Sequence, residues 1–473
     1  MRHKMAHIYK LCGILKTQID IDRMIRILTL LTLPVFVFGQ KNYSDLTEKY
    51  MQSQVGVNDF SGTVLIMKND QAILKKAYGL ADREWNINNT IDTKYRIGSI
   101  TKQFTAASIL LLEEKGKLSL NDRLSKYFPS FPKGDSITLH LLLCHRSGIG
   151  DYSEDSRPNT LDKYKYSVDF MISYIEKLPF DFSPNSNYNY SNSNYYLLGS
   201  IIEKVSGISF SDFVKQNILV PLDMKNTSVE THEEIVINRA KGYQRTQHGY
   251  INEEYYAMEF LYSAGGMYST IEDMLKWDAA MKNGILLSKE SRAKMFTSYT
   301  VDNTHYGYGA VIDIFQDHAR IWHSGGGWAF NSNISRYPND NICIVVMSNN
   351  QCNSENISNA LSAILFDIDV QVPYIHKEYK INPKDIEKYT GKWIGETNSV
   401  KSEMELYTKD NKLYRKTPNT SDLELIPESE TKFYYSDGSD RQIEFVLSKK
   451  GQIEYAWFIK DGIKYPRQRT KNK

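Results

Sequence analysis

In "RIGSITKQFTA" a serine stands three residues before a lysine, at Ser99 and Lys102. Residues three apart share a helix face, so the lysine amine can meet the serine hydroxyl. A serine is a poor nucleophile until a base takes its proton, and a desolvated lysine with a lowered pKa is such a base. A serine at a helix N-terminus also leaves its backbone N–H available to an oxyanion. Ser-x-x-Lys recurs by chance in chains of this length, so the reading needs further elements. "NYNYSNSNYYLLG" supplies Tyr190 and Asn192. A tyrosine oxygen beside a serine–lysine pair can relay a proton to a leaving group. An asparagine amide can hold both the lysine and a substrate carbonyl. The third element, "IWHSGGGWAF" (321–330), sets His323 ahead of Gly325, Gly326 and Gly327.

These residues need elements to carry them. "SITKQFTAASILLLEE" (99–114) is mostly apolar, stops at Gly116 and predicts a buried helix. Helices are also expected from "YSDLTEKYMQSQ", at 195–207, at 269–284 with a capping-box-like start at Thr270 and Asp273, and at 357–368. "GTVLIMKNDQAILKKAYG" reads as a hairpin turning at Asn69-Asp70, and "HARIWHSGGGWAF", "NSNISRYPND" and "NICIVVMSNN" as three successive strands. Strands at both ends with helices between predict one antiparallel sheet covered by helices. Beyond Pro373 the pattern shifts to short alternating runs such as "KLYRK", "QIEFVL" and "IEYAWFI", which predict an all-β barrel or sandwich.

Composition narrows the classes. With 58 basic and 56 acidic residues in 473, the net charge of +2 gives no reason to expect nucleic acid as a partner. Arg23 and Arg26 precede an apolar run from Ile27 to Phe38, then Gly39-Gln40. A bilayer span needs ~20 apolar residues. This shorter run predicts a secretory signal over 1–39, hence a periplasmic or secreted protein with no stable membrane span after cleavage. No cysteine follows the run, which argues against a lipid anchor. Cys144, Cys343 and Cys352 would remain, an odd count without a C-x-x-C pair, and read as free buried thiols. No metal or cofactor is expected.

Competing motifs fall away. "HSGGGW" lacks the Lys-Ser/Thr that completes a phosphate loop. His140 and His145, five apart, fit no metal motif and read as structural. Arg96 and Gln103 flank the nucleophile and read equally as packing or surface residues. Asp151 and Tyr152, after the turn "SGIGDY", are candidates to line a cleft.

Taken together, "SITK", "YSN" and "HSG" resemble the three motifs of the serine hydrolase superfamily of class C β-lactamases, penicillin-binding DD-peptidases and related esterases and D-aminopeptidases. "HLLLCHRSGI", "VPLDMKNT" and "SAGGMYSTIEDMLKW" fit as well, so the resemblance covers roughly residues 45 to 368. It implies an α/β (α+β) fold of the β-lactamase/transpeptidase type with a helical subdomain. The expected division is signal 1–39, hydrolase domain 40–370, linker 371–385 and a barrel-like domain 386–473 similar to the lipocalin-like tails of some members. It implies that Ser99 is the nucleophile, Lys102 its general base or proton relay, and Tyr190 the group that deprotonates Ser99 or water and protonates the leaving group. Asn192 would orient substrate, and the N–H groups of Ser99 and Gly326 would bind the oxyanion, with Gly325 and Gly326 baring the strand. Penicillin-recognising members usually carry lysine where this chain has His323, a partial charge near neutral pH. The expectation is an exported serine hydrolase cleaving an amide or ester of a small-molecule or peptide substrate, as a D-amino-acid peptidase, carboxypeptidase or esterase. The alternatives are a true class C-like β-lactamase, or a binder of β-lactams or peptidoglycan that is acylated with little turnover. The tail is expected to shape or cover the cleft, or to mediate oligomerisation.

Overall fold

Alternation of buried side chains builds the central sheet. The structure, a computed structural model, describes residues 42–155, 161–299, 305–397, 400–417 and 420–470; the expected signal segment 1–39 lies outside them. The helix Tyr43–Asn58 leads into the hairpin Gly62–Lys68/Gln71–Tyr78, whose turn residues Asn69 and Asp70 both take positive φ (52° and 61°), as a two-residue hairpin turn demands. Four later strands, Val311–Phe315, His318–Gly327, Phe330–Tyr337 and Ile342–Ser348, complete the sheet. Ile342–Ser348 pairs with Gly62–Lys68, so the two ends of the hydrolase segment meet at the sheet centre. All six strands run antiparallel to their neighbours, as expected.

Successive residues of these strands point to opposite faces. Leu65, Val345 and Met347 enter a core shared with the helices Thr101–Glu114, Asn192–Ser206 and Ile271–Asn283. Val64, Ile66, Ile344 and Val346 enter a second core under Tyr43–Asn58 and the helix Ser354–Leu365. With both faces covered, the central strand Ile342–Ser348 is buried from end to end.

The tail is a closed eight-stranded barrel spanning Gly391 to Arg469, each strand pairing with the next and the last with the first. Inward residues such as Trp393, Leu406, Phe433 and Phe445 fill its interior, and they belong to the same core as the Ser354–Leu365 helix. Val370 bridges to Ile463, Gln316 Nε2 donates to the Tyr465 hydroxyl at 3.2 Å, and Asn359 Nδ2 donates to Asp461 Oδ2 at 2.9 Å. The barrel expected from the alternating runs is therefore present, docked on the helix that backs the sheet.

Candidate active site

Ser99 sits on a backbone-to-backbone contact. A 3₁₀ turn over Gly98–Ile100 feeds the helix Thr101–Glu114, so the expected helix start at Ser99 is a tighter turn. Gly98 takes φ +50°, and a Cβ there would lie 2.8 Å from the Gly326 nitrogen. A Cβ on Gly325 would lie 1.8 Å from the Ile97 carbonyl oxygen. Only glycine permits this approach. Ser332 Oγ adds a hydrogen bond to the same carbonyl at 2.9 Å. Gly325 thus serves the contact with Ile97 instead of baring the strand for substrate. Gly326 has nothing within 4 Å of its Cβ position and lines the cleft beside Ser99. The strand His318–Gly327 is an edge only over 323–327, because Val311–Phe315 pairs with it as far as Trp322.

The helix that carries the lysine is anchored from behind. Phe104 stacks on Trp277 at 4.3 Å between centroids, and Gln103 Oε1 accepts from the Trp277 indole at 2.8 Å, which makes Gln103 a packing residue. Lys102 is wholly buried, with Nζ 3.0 Å from Ser99 Oγ. The amine also donates to Asn192 Oδ1 and to the Ala264 carbonyl, both at 2.7 Å. Burial lowers its pKa to about 7, partly offset by the Asp151 carboxylate. A neutral amine with its two N–H groups spent on Asn192 and Ala264 turns its lone pair toward the serine.

Tyr190 lies over the same amine, its ring centroid 4.7 Å from Lys102 Nζ. Burial raises its phenol well above the usual range, opposed by a hydrogen bond with Ser99, so the hydroxyl keeps its proton at neutral pH. His145 holds this loop. Its ring packs on Tyr190 at 4.3 Å, its Nδ1 accepts from the Ser191 N–H at 3.1 Å, and its carbonyl accepts from the Asn189 N–H at 3.2 Å. Burial keeps His145 neutral. It supports the loop that carries Tyr190, through a long-range contact that no local motif discloses. His140 is farther out, bonded through Nδ1 to the Tyr308 hydroxyl at 2.7 Å.

The Asn192 amide nitrogen donates to Asp151 Oδ2 at 3.0 Å and Ser153 Oγ at 2.8 Å while its oxygen takes Lys102. Both donors are engaged within the protein, and the side chain holds the lysine at the edge of the cleft. Asp151 also accepts from the Asn192 backbone N–H at 3.0 Å. Asp151 therefore stands behind the site, whereas Tyr152 lines the cleft and fixes its hydroxyl on the Phe260 carbonyl at 2.6 Å.

The expected partial charge on His323 is corrected. Burial, with the nearby Lys102 charge, lowers its pKa to about 3, and the ring is neutral. Nδ1 lies 2.5 Å from the Ser324 carbonyl, to which it donates, and Nε2 accepts from the Tyr306 hydroxyl at 2.9 Å. Both nitrogens are spent. The cleft itself has a volume of about 580 Å³ and is lined by Ser99, Asn192, Gly326, Trp328, Phe260 and Leu261 among others. Trp328 at its rim takes φ +45°, stacked on Tyr256 at 3.3 Å. Tyr256 accepts from Arg96 at 3.0 Å, and Arg96 pairs with Glu230 and Glu253. Arg96, part-buried, thus supports the rim.

Comparison with known proteins agrees with this geometry. Residues 46–365 match the beta-lactamase family. The chain is 28% identical over 433 residues to penicillin-binding protein 4* of Bacillus subtilis, covering 84% of this chain and 95% of that one. It is 28% identical over 312 residues to the teichoic acid D-alanine hydrolase of Staphylococcus aureus, covering 65% and 74%. The solved octameric penicillin-binding protein homologue from Pyrococcus abyssi superposes with a TM-score of 0.64 at 25% identity, covering 89% and 99%. The chain belongs to the beta-lactamase family and is a serine hydrolase.

Proposed function

We propose that this protein is an exported hydrolase that cleaves an ester or amide of a D-amino-acyl or similarly small acyl group through an acyl-Ser99 intermediate. The observation that carries the reading is the Lys102 amine, buried, with a pKa of about 7 and its free direction facing Ser99 Oγ at 3.0 Å. Lys102 takes the Ser99 proton as the oxygen attacks the carbonyl. The N–H groups of Ser99 and Gly326 receive the oxyanion. Tyr190, protonated and bonded to Ser99, hands a proton to the leaving group, and water then releases the acyl group by the same route in reverse. The proposed division is the signal over 1–39, catalytic domain over 40–370, linker over 371–385 and barrel over 386–473, with the mature protein in the periplasm or outside the cell.

Two features support the D-amino-acyl ester or amide reading. The name of the S. aureus relative places D-alanine hydrolysis among proteins similar to this chain. The neutral His323, with both nitrogens occupied, offers no fixed charge to a substrate carboxylate, which disfavours carboxypeptidase and strong β-lactamase activity. The test is turnover of a D-alanyl anilide, a nitrophenyl ester and a chromogenic cephalosporin by wild type and Ser99→Ala. The expected result is turnover of the first two, slow or no turnover of the third, and loss of all activity in the variant. Wild-type rates in Ser99→Ala would refute the assignment. A stable cephalosporin adduct with no turnover of any substrate would instead make the protein a binder.

A further inference from the structure

Inside the barrel two arginines face one aromatic ring without a carboxylate partner. Inward and outward residues alternate along each strand. Leu413 and Tyr465 point inward, which puts Arg415 and Arg467, two residues on, on the same inner surface. Both guanidinium groups flank the Phe458 ring, at 5.8 Å and 5.3 Å from its centroid. Arg467 is 3% exposed. It donates to the Glu396 carbonyl at 2.8 Å, to Ser402 Oγ at 3.2 Å and to Thr397 Oγ1. Arg415 donates to the Tyr435 hydroxyl at 3.2 Å, and its buried Nε has no partner. Every one of these acceptors is neutral.

The acids of the neighbouring strands are taken elsewhere. Glu424 pairs with Lys412, Glu405 with Lys416 and Asp437 with Arg441. Among the described residues no carboxylate lies within ion-pair reach of Arg415 or Arg467. Arginine does not shed its proton in proteins, so the two positive charges persist. Buried charges are ordinarily paired, and two of one sign side by side are costly. Burial and the Arg415 charge both weaken proton binding by Arg467, a sign of that cost. A guanidinium fork matches two oxygens of an oxyanion; Arg415, with its Nε unpartnered, offers such a fork, and Arg467 adds a second positive charge.

We propose that Arg415 and Arg467 form a binding site on the barrel for a small oxyanion, the phosphate or carboxylate group of a ligand, separate from the Ser99 cleft. None of these residues lines that cleft. The test is isothermal titration of the full chain at fixed ionic strength with inorganic phosphate and, separately, acetate. Saturable binding of at least one is expected, weakened about tenfold or more in Arg415→Gln, equivalent to the loss of one charged hydrogen bond. Phosphate binding alone assigns a phosphate-bearing ligand, and acetate binding alone a carboxylate-bearing one. Arg415→Glu supplies an internal partner for Arg467, so it should abolish binding and raise the thermal midpoint in anion-poor buffer. Esterase activity should persist in both variants, which separates loss of the site from loss of fold. No saturable binding of either probe, or unchanged affinity in Arg415→Gln with the fold intact, would overturn the proposal.

Discussion

The chemistry turns on two residues whose surroundings move them in opposite directions. Burial brings the Lys102 amine down to about 7 and drives the Tyr190 phenol up, which suits the proposed roles of lysine as base and tyrosine as acid. Tyr190→Phe keeps the ring on His145 and removes only the hydroxyl. Hydrolysis of a D-alanyl anilide should fall by about 10²–10⁴-fold. A nitrophenyl ester should lose far less, because its leaving group departs without a proton. Equal losses on both would contradict the assigned role. That Ser99, Lys102 and Tyr190 come together is legible in short, local motifs. The parts played by Asp151 and His145 are not, since each acts across more than forty residues on the Tyr190–Asn192 loop. The charge of His323 is equally long-range: it depends on burial and on the nearby Lys102 amine, neither visible in "HSG".

Among the elements, periodicity made the buried helix at 101–114 and the three strands after His318 legible, because each carries a long enough pattern to decide its type. Shorter pieces escaped. Val311–Phe315, five residues long, joins the sheet outside His318–Gly327 and leaves only 323–327 open to the nucleophile turn. Two barrel strands, Leu423–Pro427 and Ile463–Arg469, contain proline, which weakens their sequence signal. Proline demotes a strand reading, yet Pro466 is an outward, exposed residue on an otherwise regular alternation. The glycines of the third motif divide their work in a way the motif does not show. Gly325 admits the Ile97 carbonyl and Gly326 faces the cleft, a distinction set by the packing of two distant segments.

At the scale of the whole molecule, the barrel is joined to the catalytic sheet through a buried acid. Asp461 lies 1% exposed against Asn359, faced by Asp440, Lys460 and Glu355. Burial, reinforced by Asp440, raises its pKa from 3.8 to about 7. A carboxyl raised on folding contributes its stability in full below its unfolded pKa and loses it as pH rises through about 7. Asp461→Asn should therefore raise the thermal midpoint at pH 8 by about 2 °C or more and give no gain at pH 4, as calorimetry would read. Asn also suits the left-handed conformation there, φ +56°. A gain of the same size at both pH values would show that ionisation of Asp461 is not the cause. His323 works in the other direction. Its depressed pKa withdraws stability as pH falls from 6.5 toward about 3.

The central claim is that a buried lysine amine activates Ser99. The direct measurement is kcat/KM against pH for a neutral ester, which reports the free enzyme. The groups facing Lys102 are the Asp151 carboxylate, the protonated Tyr190 phenol and the neutral rings of His145 and His323. Wild type should lose activity tenfold per unit of pH below an inflection near 7. Asp151→Asn, which removes the charge that holds the lysine's proton, should move that inflection to lower pH. A flat profile between pH 5 and 8, or an inflection that Asp151→Asn leaves in place, would contradict it.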